Sequence, residues 1–166
     1  MRMRLTIRPA TARDALAVRE LLDVLGYPVG EDDVRALLGA AFREPRHAVV
    51  VAELDGAVVG LLVMAARPSL CRGGWVGALE ALVVRPDRRR RGVGEALLQY
   101  AKGLAAERGF VRLEVEVAHV HSVEAGPFLL DLGLEPGGVE TFCWGALEHK
   151  HPRVPVAAQR LTPAVV

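Results

Sequence analysis

The chain has 166 residues, 51% of them hydrophobic, enough for one buried core and within the size of a single domain. Its 21 basic and 20 acidic residues nearly cancel, so the overall field favours neither nucleic acid nor an anionic membrane as partner. No run approaches the roughly 20 apolar residues of a membrane span, and the N-terminus leads straight into a strand pattern rather than a signal region, so a cytoplasmic protein is expected.

In chain order, Leu5, Ile7 and Pro9 alternate with Thr6 and Arg8, the period of a half-buried strand. Thr11 followed by Asp14 fits a helix-capping pattern, and Val18, Leu21, Leu22 and Leu25 recur at helical spacing until Gly26. Glu31, Asp32 and Asp33 suit the positive end of a second helix, with Val34, Leu37, Leu38 and Ala41 as its apolar face. Two β-branched runs, 48–54 and 57–64, flank Asp55-Gly56, a strong hairpin signal. Residues 67–74 read as a loop, and 76–84 as a strand that Pro86 ends.

Beyond that strand, Val93, Ala96, Leu97, Tyr100, Ala101 and Leu104 mark an amphipathic helix capped at Gly109. Residues 111–117 alternate as a strand, Phe128, Leu129 and Leu132 mark a helical patch ending at Gly133, and 139–147 make a last strand. Gly126-Pro127 predicts that this helical patch is short or starts late, because proline lacks the helix N–H and restrains the residue before it. The order gives a mixed α/β domain over 1–147, with 148–166 a C-terminal arm. Cys71 and Cys143 lack metal or redox spacing; buried, reduced thiols are expected, and a disulfide is the other reading.

Five arginines crowd between Arg85 and Arg91, just where a strand turns into a helix. The first amides of a helix have no internal acceptor and carry the positive end of its dipole, and glycines at 92 and 94 let a phosphate approach them. A Walker loop would need Gly-Lys-Ser/Thr and a dinucleotide fingerprint a third glycine; neither is present. What remains is Arg-x-x-Gly-x-Gly, and a phosphate-contact patch for nucleic acid is the competing use of the same arginines.

Residues 79–98, LEALVVRPDRRRRGVGEALL, resemble the GNAT superfamily of acyl-CoA-dependent N-acyltransferases, and the order of elements extends the resemblance more weakly over about residues 5–145. The resemblance implies a mostly antiparallel, twisted mixed α/β sheet of six to seven strands with about four helices, and CoA between splayed central strands. Carried over by position, Arg89, Arg91, Gly92, Val93 and Gly94 hold the CoA pyrophosphate, and Leu82, Val83 and Val84 pair with the pantetheine arm. Arg90 stands where the family often has glycine, and reaches a CoA phosphate or faces water. Ser122 replaces the family's asparagine, Phe128 matches an aromatic that packs on the CoA arm, and Leu129 replaces the usual tyrosine acid.

An amine of ordinary pKa about 10.4 is mostly protonated at neutral pH, and freeing its lone pair costs roughly 4.6 kcal/mol. A general base is therefore useful, and the resemblance gives that role to Glu80, whose side chain alternation would set on the face of Leu82 and Val84. Leucine cannot donate a proton to the departing thiolate, which leaves His119 and His121, of which His121 is favoured. Those two also share a face as metal ligands would, but no third ligand is indicated and no metal is expected; surface or packing histidines are the other reading. Trp75 and Trp144 line an acceptor pocket or belong to core or interface, and His149, Lys150 and His151 form a solvated cluster.

The resulting expectation is acetyl transfer from acetyl-CoA to a primary amine of a small molecule or peptide, by direct attack in a ternary complex. The alternative is a catalytically silent acyl-CoA sensor of the same fold. A homodimer is implied by the resemblance, with no nucleic acid and no membrane as partner.

Overall fold

The structure, a computed structural model, describes residues 4–115 and 122–136. Its elements are β1 (Leu5–Pro9), α1 (Ala15–Val24), α2 (Glu31–Arg43), β2 (His47–Leu54), β3 (Ala57–Ser69), β4 (Gly74–Val84), α3 (Val93–Glu107), β5 (Arg112–Val115) and α4 (Ser122–Asp131), with short 3-10 turns before α1 and after β4. The five strands form one sheet in the order β1-β2-β3-β4-β5, antiparallel as far as β4 and parallel between β4 and β5. The expected strand over 139–147 and the arm after 147 lie outside the described residues.

Local chemistry accounts for most boundaries. Asp55 and Gly56 both take left-handed φ, 51° and 85°, as a two-residue turn matching the strand twist requires. Gly26, Gly109 and Gly133 are likewise left-handed just past α1, α3 and α4. The Thr11 amide and hydroxyl both donate to Asp14 Oδ2, at 2.7 and 3.0 Å, the reaching-back half of a capping box.

Three sequence expectations need correction. The loop over 67–74 shrinks to 70–73, because β3 runs on to Ser69 and pairs with β4 down to Ser69↔Gly74. Pro68 is tolerated there because β2 pairs with β3 only to Ala65, so that stretch has one neighbour and one edge free of ladder bonds. The helix α4 neither starts late nor stops at Pro127, but runs through it. Its far end is held from α3 by Lys102, whose ammonium donates to the Leu132 carbonyl, and Leu129 and Leu132 pack on the core. Finally, Cys71 is exposed, at the tip of the β3–β4 hairpin, rather than a buried thiol.

The sheet is covered on both faces. Val50, Leu62, Met64 and Leu79 pack with Val93, Leu97, Leu98 and Ala101 of α3, while Val51, Leu61 and Val83 face Val18 and Leu21 of α1 and Val34 and Leu38 of α2. The α2 face is narrower than its pattern predicted, since Leu37 is 62% exposed. At Gly60 an added Cβ would lie 2.9 Å from Leu97 Cδ1 and 3.1 Å from Val93 Cγ1. Only hydrogen fits between β3 and the start of α3, so the glycine sets how closely that helix approaches the sheet.

A bulge in β4 bears on the site. Val63 pairs with Ala81 and Met64 with Leu79, leaving Glu80 as the extra residue. Leu79, Leu82 and Val84 therefore all pack toward α3, although strict alternation would separate Leu79 from Leu82. Among the described residues β4 pairs with β5 from Val76↔Arg112 to Leu79↔Val115.

Candidate active site

The C-terminal end of β4 leads into a turn built to present amides. Arg85 N–H donates to Val59 O at 2.8 Å, closing the strand, and a 3-10 turn over Pro86–Arg88 follows. The first helical bond of α3 runs from Ala96 N–H to Gly92 O at 3.0 Å, so the amides of Val93, Gly94 and Glu95 precede the helix's own bonding. Gly92, at φ 76°, is the N-cap and no side chain caps the helix there. An uncapped, dipole-positive helix start with a left-handed glycine is a fit place for a pyrophosphate.

The arginine cluster divides into roles. Arg85 grips Asp87 with Nε and one terminal nitrogen, at 3.1 and 3.0 Å, and Arg88 Nε lies 3.3 Å from the same carboxylate. Loss of hydration works to raise the Asp87 pKa, but the two guanidiniums outweigh it and hold the carboxyl below its ordinary range. Arg89 turns back, its Nε donating to the Val84 carbonyl at 3.3 Å. Arg90 occupies left-handed backbone, φ 59°, which explains why glycine suits that position in the resembling family. Arg90 and Arg91 are both exposed.

The other candidates scatter. Leu82 and Val84 lend their side chains to the α3 core, and Val83 is buried on the opposite face, so these residues offer a ligand main chain rather than side chains. Glu80 is exposed at the bulge. Alternation counted from Leu79 and alternation counted from Leu82 give Glu80 opposite faces, because the extra residue resets the parity. Phe128 sits over Gly94. Ser122 opens α4, while His119, His121 and Trp144 lie outside the described residues. Trp75 lines a shallow depression of about 190 Å³ with Arg46, Arg108 and Phe110, at the end of β4 away from Val84 and roughly 30 Å along the strand from it. Among the described residues no cluster of His, Cys, Asp or Glu could hold a metal, and no helix is long and apolar enough to cross a membrane.

Sequence reasoning missed the Arg8 network. Arg8 forks onto both Asp14 oxygens at 2.8 and 2.9 Å and donates through Nε to Glu53 at 2.9 Å. The Thr-x-x-Asp spacing signalled Asp14, but nothing local links it to Arg8 and a neighbouring strand.

Residues 15–125 match the acetyltransferase (GNAT) family. Among solved structures, a transcriptional regulator from Bacillus halodurans is 26% identical, with TM-score 0.75, covering 86% of this chain and 99% of that one. An aminoglycoside N-acetyltransferase in complex with CoA superposes with TM-score 0.78 at 19% identity, over 89% of this chain and 98% of that one. A ribosomal-protein-alanine N-acetyltransferase from Brucella melitensis biovar Abortus does so with TM-score 0.68 at 19% identity, over 86% and 99%. A comparison with curated proteins by sequence found no match. The family match spans well over half the chain and falls on the strand, turn and helix just described, and the chain belongs to the acetyltransferase (GNAT) family.

Proposed function

We propose that this protein is an N-acetyltransferase that moves the acetyl group of acetyl-CoA to a primary amine of a small molecule or peptide, in a ternary complex. The observation that carries the reading is the uncapped start of α3 behind the left-handed Gly92, within the stretch that the family match covers. CoA needs amides for its pyrophosphate and strand main chain for its pantetheine arm. On this reading Arg89, Arg90, Arg91, Gly92, Val93 and Gly94 hold the pyrophosphate, and the main chain of Leu82, Val83 and Val84 pairs with the arm.

The amine nitrogen attacks the thioester carbonyl, the C–N bond forms, the C–S bond breaks, and the thiolate leaves. Glu80, exposed at the bulge, takes the proton that the amine must lose. The thiolate takes its proton from His121 or from water; a thiol of ordinary pKa about 8.5 leaves without obligatory acid help. Ser122 lies beside that position in sequence and contributes to holding the arm.

One observation favours the second reading, a silent acyl-CoA sensor: Leu129, where the family's tyrosine acid falls, packs against the core and carries no proton to give. Free thiol released from acetyl-CoA, measured over a panel of amines, separates the two. The enzyme reading predicts release with at least one amine, and a Glu80→Gln protein that binds CoA as tightly while turning over about 100-fold or more slowly. Full rate in Glu80→Gln would remove the base assignment, and CoA binding without release by any amine would favour the sensor.

A further inference from the structure

Gly94 does not owe its place to backbone conformation. Its φ lies outside the left-handed region that Gly92 occupies, and as the second residue of α3 it would gain helix propensity from a methyl group. What opposes a side chain there is α4. An added Cβ at Gly94 would lie 3.2 Å from Phe128 Cζ and 3.8 Å from its Cε2, with Val84 Cγ2 at 3.7 Å. The first of these is inside comfortable carbon contact, so the ring or the start of α3 must shift. The backbone that carries the ring is anchored. Lys102 ties the end of α4 to α3, and Leu129, Leu132 and Leu134 pack on the same cluster as Leu97, Leu98 and Ala101.

We propose that Phe128 is a positioning residue for the cofactor loop: its ring, seated on Gly94, sets where the first amides of α3 lie, and the ring rather than a bound phosphate demands glycine at 94. The proposal rests on the CoA reading above and assigns the second glycine of the motif a different cause from the first. Gly92 is required by its own backbone, Gly94 by a side chain from another element. Through this contact α4, which begins at Ser122, and the pyrophosphate cradle form one mechanical unit.

Four proteins test it: wild type, Gly94→Ala, Phe128→Leu and the double variant, each titrated with CoA by calorimetry and each unfolded thermally without CoA. Leucine stays apolar but ends short of the ring edge that meets Gly94. The expected pattern is that Gly94→Ala weakens CoA about tenfold and lowers the unfolding midpoint, whereas in the Phe128→Leu background the same alanine raises the midpoint and leaves affinity within about threefold. A double variant as weak toward CoA as Gly94→Ala would overturn the proposal, because the methyl would then obstruct the phosphate itself. Additive midpoints would overturn it as well. Wild type that takes up no CoA would overturn the cofactor reading and this proposal with it, and is distinguishable because the midpoints are measured without CoA.

Discussion

Asp14 shows how much one side chain contributes here. The Arg8 fork, reinforced by the Thr11 amide and hydroxyl against the cost of burial, holds its carboxyl at about 2, below the ordinary 3.8. A depressed carboxylate stabilises the fold above its unfolded value and loses that contribution as pH falls through the folded one, a difference on the order of 2 kcal/mol. Asp14→Asn should therefore lower stability by about that amount at neutral pH and flatten the loss of stability between about pH 4 and pH 2, as read from denaturant unfolding across that range. An unchanged acid limb would show that the network contributes nothing. Arg90 offers a second residue-scale test. Its left-handed φ costs a side-chain-bearing residue about 1 kcal/mol, so Arg90→Gly should unfold no lower than wild type, while β-branched Arg90→Val should lose about 1 kcal/mol or more. Equal midpoints for the two variants would contradict the strain.

The decisive elements are β3 and α3, which meet at Gly60. Alanine there would press on Leu97, Val93 and the Ala52 Cβ at 2.9 to 3.2 Å, and overpacking of this kind costs about 1–3 kcal/mol. Because Val93 opens α3, Gly60→Ala should also weaken CoA binding, and calorimetry beside thermal unfolding checks both. At this scale the sequence was most legible where signals are local. Asp55-Gly56, the left-handed caps at Gly26, Gly109 and Gly133, and the apolar stripe of α3 each follow from a few neighbouring residues. The misses involve distant partners. Glu80 becomes an extra residue only through the register between β3 and β4, and alternation alone cannot reveal a bulge. Pro127 sits within a helix because Lys102 and the core hold that helix from outside, contrary to its local preference. The Arg-x-x-Gly-x-Gly turn was readable because it is contiguous; the seating of Phe128 on Gly94 was not, since 34 positions separate them.

Across the whole molecule, the sheet serves two purposes. Its covered faces supply stability through α1 and α2 on one side and α3 on the other, and the end of β4 leads into the turn that opens α3. A ligand bound only by the folded state stabilises it by mass action, about 2.7 kcal/mol at 100 times its dissociation constant. The most direct test of the cradle is a calorimetric titration of the purified protein with CoA. Saturable binding of one CoA per chain, weakened when Gly92 is replaced by valine, is the predicted result. Absence of binding at millimolar CoA, or binding indifferent to the residue at 92, would contradict the assignment of this turn to the cofactor.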